Sequence, residues 1–455
     1  MRIKYLAVVL SLLYSFAGFS QQTNSIPVTV NFVDVHQCIT GFGVSGGNSS
    51  ASNFKKLTPD RQKYICDLLF NIENGIGLSM VRNELYWTIE PSAGIWDWTK
   101  DNDQIWLMNE AKKRGVDYFW SATWSMPAWM KDNDTIKHGG HLKLEHYQNY
   151  ADYLSKYVQE YKKRFDLDIK AVSITNEPAL STGYQSCQWN GAQLRNFIKN
   201  NMGPTFKRDG LQAKILMPES HVSTNLPLEA DSTMNDPIAR DYVSILGWHQ
   251  YNQSYDGKNP FFPPSTPIAA YKPAKTYNKE IWQTEVSFIG GKPDSIINWG
   301  LGTSLLIHNA MAEAEVNAWV WWVPLNSWND NEGLADISGD KYIVTKRLYC
   351  FGNWSKFIRP GYFMVGTAYQ PAPNVYVSAF KNPKTKDFVV VLTNNNPDAK
   401  TVSLSFVGLK SKSLTPWVTS ANKNLMAQPV IKGNKNVFSI SLEGSSVTTL
   451  VGKGK

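Results

Sequence analysis

The chain is poor in the marks of several function classes. Its 455 residues hold four cysteines, Cys38, Cys66, Cys187 and Cys350. None forms a C-x-x-C pair, and they are too dispersed for a metal site or a disulfide framework. Export would permit one bridge, and buried free thiols are the other outcome. No glycine-rich turn of nucleotide-binding form follows the first strand-like run, which lowers a doubly wound open sheet. No basic block interleaves with aromatics. The net charge of +8, two units of it from Arg2 and Lys4, therefore does not mark a nucleic-acid binder. Past Ser20 no apolar run is long enough to cross a bilayer.

What is present begins with Met1-Arg2-Ile3-Lys4, which is basic, followed by an apolar stretch from Leu6 to Phe19. Gly18 and Ser20 put small residues at the −3 and −1 positions of a cut before Gln21. This pattern predicts a signal peptide over 1–20 and export to the periplasm or the medium. No Cys follows the cut, so no lipid anchor is expected.

From about 40 to 345 strand-like apolar runs alternate with amphipathic stretches. The runs are 40–45, 77–85, 117–124, 169–176, 212–218, 243–251, 280–286 and 317–323, with helical candidates such as 100–114 and 144–163 between them. Eight such repeats predict a (β/α)8 barrel over 39–356. After 357 the texture changes to short alternating runs at 375–380, 387–393, 401–406, 415–419, 437–442 and 446–451, separated by Asn and Pro turns. They predict an antiparallel β domain of sandwich type over 357–455. The barrel does not need the alternating strand 26–36, so the segment 21–38 is expected to join that domain. The absence of a long linker predicts rigid packing of the two domains.

Two glutamates end apolar runs, Glu177 in Ser173-Ile174-Thr175-Asn176-Glu177-Pro178 and Glu285 in Trp282-Gln283-Thr284-Glu285. Their spacing divides into three βα units, which places them at the fourth and seventh strands of a barrel. Barrel chemistry sits at the carboxyl ends of the strands. A carboxylic acid paired with a carboxylate is the minimal equipment for cleaving a glycosidic bond. Asn176 is placed to hydrogen-bond a sugar hydroxyl beside that bond, and the aromatic surroundings point to sugar.

With these motifs the chain resembles glycoside hydrolase family 30, most of all its xylanase subfamily 8. The stretches that carry the resemblance include Ile39-Thr40-Gly41-Phe42-Gly43, Trp124-Ser125-Met126-Pro127-Ala128-Trp129-Met130 and Met217-Pro218-Glu219-Ser220. Others are Asn235-Asp236-Pro237, Ala318-Trp319-Val320-Trp321-Trp322, Ser355-Lys356-Phe357-Ile358-Arg359-Pro360-Gly361-Tyr362 and Asn374-Val375-Tyr376-Val377-Ser378-Ala379. The resemblance implies retaining chemistry with Glu177 as acid/base and Glu285 as nucleophile. It implies no metal or organic cofactor. The expected partner is a polysaccharide, xylan, taken by a monomer.

The roles make physical demands. Glu285 must be ionised, so it needs a cation or donors beside it, and Arg82 at the second strand end is a candidate. Glu177 must carry a proton, and the charge of Glu285 is expected to raise its pKa. His249 and Tyr251 match a His-x-Tyr pattern at the sixth strand end, and Tyr251 is placed to donate to Glu285 or to a sugar. Trp87, Trp124, Trp129, Tyr184, Trp189, Trp321 and Trp322 are the sugar-platform candidates, about half of them expected to be core.

Three departures stand out. Many subfamily 8 xylanases grip a glucuronate branch with an arginine in the loop after the eighth strand. Here Val323-Pro324-Leu325-Asn326-Ser327-Trp328-Asn329-Asp330-Asn331-Glu332-Gly333 holds no Arg or Lys and two acids. Cleavage independent of glucuronate is therefore expected, with the acids repelling that branch. Val286-Ser287-Phe288-Ile289-Gly290-Gly291 also departs from the tyrosine-bearing pattern. Bulky Trp248 and Gln250 are expected to reshape the −1 or −2 pocket. The alternatives to an endo-β-1,4-xylanase are a β-1,6-glucanase, an exo-acting xylan enzyme, or a non-catalytic polysaccharide-binding protein.

Overall fold

A computed structural model describes residues 25–455, apart from 48–49, 255–267, 292–295, 329 and 339–340. The leader predicted over 1–20 lies outside the described residues.

The first strand, β1 (Ile26–Cys38), stands apart from the next eight. These are β2 (Gly41–Ser45), β3 (Met80–Glu84), β4 (Tyr118–Ala122), β5 (Ile169–Ser173), β6 (Lys214–Ser220), β7 (Val243–His249), β8 (Glu280–Glu285) and β9 (Ala318–Trp321). They pair in parallel around a closed ring, with β9 returning to β2. Parallel strands covered on both faces read as continuous apolar runs, which is why these segments lack polar alternation. The lumen is filled by Met80, Trp120, Ala171, Leu216, Ile245, Trp282 and Val320. Trp120 and Trp282 meet edge to face at 5.6 Å. At Gly43 a Cβ would fall 2.4 Å from Met80 Cγ and 2.8 Å from its carbonyl oxygen, so only glycine lets β2 lie this close to β3.

The helix Tyr147–Phe165 shows how the outer layer fixes the mouth. Tyr150, Tyr153, Tyr157 and Tyr161 form a buried stripe at helical spacing against the barrel. The Tyr150 hydroxyl donates to the Ile174 carbonyl at 2.5 Å, just before Glu177. Deep Tyr groups need such partners.

β1 joins the C-terminal strands in one ten-stranded sheet. It lies between Phe363–Gly366 and Lys400–Val407. Phe388 and Phe406 lie several strands apart in sheet order, yet their rings are 5.2 Å apart. The sheet thus folds back on itself as a sandwich over a shared apolar core. The domain is not wholly antiparallel: Ile26–Asn31 pairs in parallel with Val402–Val407. A strand arriving from the far chain end needs no hairpin to its neighbour, so parallel pairing costs it no local turn.

The barrel meets this domain through the helices Ile297–Ala312 and Lys346–Ser355. Ser304 pairs with Thr393 at 2.8 Å, His308 Nδ1 with the Ser378 hydroxyl at 2.8 Å, and Asn353 Nδ2 with Thr449 Oγ1 at 2.9 Å. All four cysteines are free. Cys66, Cys187 and Cys350 are buried and Cys38 half-buried.

Phe388 is fully buried between Phe32 and Phe406. Replacing it with Ala is expected to destabilise the β domain by about 3–5 kcal/mol, read from urea unfolding.

Candidate active site

The polar groups of the pocket floor come from barrel strands or the residues just after them, and Tyr184 reaches in from the longer segment after β5. Arg82 lies on β3, Glu219 on β6, His249 ends β7 and Glu285 ends β8. Asn176 and Glu177 follow β5, and Trp124 follows β4. Glu177 and Glu219 both have left-handed backbone, with φ of +48° and +59°. That conformation is uncommon for residues with a Cβ and often marks functional turns. The Glu177 N–H bonds the Glu219 carbonyl at 3.0 Å, locking the two turns together.

The fully buried Arg82 organises the floor. Its guanidinium donates to Glu285 Oε2 at 2.5 Å, to Glu219 Oε1 at 3.0 Å and to Asn176 Oδ1 at 2.7 Å. It also lies 4.4 Å from the Trp124 ring centroid and 5.4 Å from that of Trp120. Burial would lower its pKa, but Glu219 and Glu285 raise it further. The Tyr251 hydroxyl donates to Glu285 Oε1 at 2.8 Å, so both oxygens of that carboxylate are met by donors.

Glu177 is met differently. Nδ1 of His221 lies 2.8 Å and Nδ1 of His249 2.9 Å from the same oxygen, Oε1. The Tyr184 hydroxyl approaches Oε2 at 3.5 Å. Burial favours the protonated carboxyl, but the bonds from His221 and His249 outweigh it and hold Glu177 below the ordinary range. The expectation that Glu285 would raise it is thus corrected: the nearest groups are imidazoles, not the other carboxylate. Burial lowers His249 too, yet Glu285, Glu177 and Glu219 push it up to about 10. Both shifts run the same way and favour an ionised Glu177 beside a protonated His249.

One oxygen from each of Glu177 and Glu285 and a nitrogen of His249 lie within 4.8 Å of one another. The trio has the span of a metal site, but its atoms are already engaged with one another and with Arg82 and Tyr251. Two carboxylates this close, flanked by acid–base groups, suit displacement at a sugar carbon.

The aromatic candidates divide. Trp124 and Trp322 meet at 5.7 Å beside Arg82, and Tyr184 is 46 % exposed next to Glu177. Trp87, in the short turn Trp87–Ile89 after β3, is half-buried. Trp129 is also half-buried, with its ring edge-on to His146 and its indole N–H on the Glu90 carbonyl. Trp189 is not at the mouth: it packs on Tyr147, Tyr150 and Phe197 in the outer core. Trp321 is core as well, against Phe288, with its indole N–H on the Glu332 carbonyl. Trp248 and Gln250 do not shape the pocket either. Trp248 joins the outer core, and the Gln250 amide spans the Leu306 carbonyl and the Trp319 indole. Residues next to an inward His249 on a strand must face outward.

The sequence reading missed Glu219 and His221 as pocket groups. Glu219 ends a predicted run as Glu177 and Glu285 do, which was a usable signal. His221, just beyond it, carried none. The loop after β9 also holds a surprise. Glu332 is half-buried, and burial, Asp330 and Glu285 together push its carboxyl up to about 8. Asp330 Oδ1 accepts from the Asn326 amide at 2.7 Å and the Glu332 N–H at 3.1 Å. Burial thus works against a negative charge on Glu332, and Asp330 is tied into the loop's own hydrogen bonds.

Residues 80–336 match the family model described as O-Glycosyl hydrolase family 30. Residues 363–450 match the Glycosyl hydrolase family 30 beta sandwich domain. The chain is 29% identical over 446 residues to Glucuronoxylanase XynC of Bacillus subtilis, across 96% of this chain and 94% of that protein. It superposes on Xyn30A, a glycoside hydrolase family 30 subfamily 8 xylanase from Clostridium acetobutylicum, with a TM-score of 0.80 and 29% identity. That match covers 94% of this chain and 100% of the other. It is also 24% identical over 419 residues to an Endo-1,6-beta-D-glucanase of Neurospora crassa, covering 84% and 82% of the two.

Truncating Arg82 would strand Glu219 and Glu285 as unpaired buried anions. The Arg82→Ala variant is expected to lose about 3–5 kcal/mol of stability, seen as a lowered midpoint in denaturant unfolding.

Proposed function

The chain belongs to glycoside hydrolase family 30, close to its xylanases, and from that membership we propose that it is a retaining endo-β-1,4-xylanase. The observation that carries the reading is the approach of Glu177 and Glu285 to within 4.8 Å at the barrel mouth. Retaining enzymes hold their two carboxyl groups about 5–5.5 Å apart, whereas inverting ones leave room for a water between them.

In this reading Glu285 attacks the anomeric carbon. Arg82 on Oε2 stays in place, and Tyr251 on Oε1 re-aims as that oxygen becomes an ester. Glu177 gives its proton to the leaving oxygen and later takes one from the attacking water. Because the resting proton favours His249, the active acid form is the less populated arrangement of a pair that shares one proton. Arg82 occupies the carbonyl of Asn176, which leaves the NH2 end for a sugar hydroxyl. Trp124, Trp322 and Tyr184 supply flat surface for the C–H faces of xylose rings.

Cleavage should not depend on glucuronate. The reason differs from simple repulsion: the loop after β9 offers no guanidinium to fork onto a carboxylate. Glu332, whose burial favours its protonated form, offers a carboxyl beside Trp322 to sugar hydroxyls instead.

The Glu285→Gln variant is expected to lose at least about a thousandfold in kcat while still binding xylan in a pull-down; unchanged hydrolysis would remove Glu285 from the chemistry. The purified protein is expected to cleave undecorated and arabinose-bearing xylan as well as glucuronoxylan, giving internal fragments. Cleavage confined to glucuronoxylan, release from chain ends only, or preference for β-1,6-glucan would each overturn part of the reading.

A further inference from the structure

Two imidazoles converge on one oxygen of Glu177, and their origins differ. His249 is fully buried at the end of β7. His221 comes from the segment after β6, and its side chain is 35 % exposed toward the cleft. Its ring stacks on Tyr251 at 5.6 Å and 22°, and Tyr251 in turn holds Glu285 Oε1 at 2.8 Å. His221 therefore touches the supports of both carboxylates. The segment is fastened to the end of β7 by the Val222–Gln250 bridge and by the Asn252 amide on Ser223 Oγ at 3.2 Å.

We propose that His221 is a positioning residue for Glu177: its Nδ1–H, with that of His249, saturates Oε1 and leaves Oε2 as the oxygen that carries the transferable proton. The inference rests on the reading of Glu177 as acid/base. An oxygen that accepts two N–H bonds has no lone pair left for a proton, while Oε2 faces the Tyr184 hydroxyl. When the glycosidic C–O bond breaks, its electron pair stays on the leaving oxygen and takes the Oε2 proton. The resulting carboxylate is held by the two N–H donors. In the second step the same Oε2 takes a proton from water as the water oxygen bonds the anomeric carbon. His221 ends the cycle with the protons it began with.

The charged and titratable groups facing this carboxyl are His249 and His221 on Oε1, Tyr184 on Oε2, and Glu285 and Tyr251 across the pocket. Glu219 and Arg82 lie behind His249. Glu229 lies under the His221 segment through a bond from Ser220 Oγ at 2.5 Å. Removing a donor from Oε1 raises the proton affinity of the Glu177–His249 pair, whichever member holds the proton. Loss of that proton then moves to higher pH.

The test is the pH profile of kcat/KM on xylooligosaccharides for His221→Phe, which keeps a ring against Tyr251 without the N–H. The alkaline limb is expected to move up by about one pH unit. His221→Asn, whose amide puts a donor near the Nδ1 position, is expected to bring the limb back toward the parent. The shift in His221→Phe should be far smaller on an aryl xylobioside whose leaving group needs no proton. An unmoved limb in a variant that melts with the parent overturns the proposal, and His221→Ala serves the same test if the Phe variant does not fold. Glu177→Ala is run in parallel. If it keeps full activity on poor leaving groups, the acid/base reading fails. If it collapses and is rescued by azide while the His221 limb stays put, only the role of His221 fails.

Discussion

A single buried guanidinium sets the terms for the rest of the pocket. Arg82 is out of contact with water, so it is tolerable only if its charge and its donors are matched. Glu285, Glu219 and Asn176 meet its two terminal nitrogens from three other strand ends and Trp124 covers its face, while the buried Nε–H finds no partner among the described residues. A planar fork is required for this, because a lysine ammonium cannot address three separated acceptors in one plane. The arrangement also dictates what surrounds it. With Glu177, Glu219 and Glu285 gathered at one mouth, one cation is not enough, and the same three anions hold the His249 imidazolium. The positive charge is thus split between a fixed group that never gives up its proton and one that exchanges it.

How much of this was legible follows from how each feature is encoded. The eight barrel strands were readable because burial on both faces leaves an unbroken apolar run, and each predicted run contains or overlaps an observed strand. The C-terminal strands were readable from alternation, as in Val437–Leu442, whose exposed and buried positions alternate throughout. Glu177 and Glu285 stood out as acids ending apolar runs. Facing direction was harder. Trp321 and Trp322 are adjacent and chemically identical, but one packs on Phe288 and the other on Trp124. The proton balance of Glu177 was not legible at all, since it depends on imidazoles far along the chain that reach it only through left-handed turns at Glu177 and Glu219.

In the proposed reading, specificity lies in a different part of the barrel from chemistry. The floor built on Arg82 would serve any sugar that presents an anomeric carbon. The segment after β9 is held apart from that floor by its own short sheet, Val323–Asn326, Gly333–Ser338 and Lys341–Val344, and by the buried Arg347. A loop supported in this way can change its side chains without disturbing the neighbours of Glu285.

The first strand of the side domain lies beside Lys400–Val407, and Thr29 meets Ser405 across a separation of 376 positions. As the chain leaves the ribosome, β1 must wait until nearly everything else has been made. For that time two apolar-faced strand edges have no neighbour, which is a hazard for wrong pairing. The barrel has local βα contacts and is able to form during this wait. Closure of the sandwich by its oldest segment thus has to await the end of synthesis, and it ties the two ends of the polypeptide together.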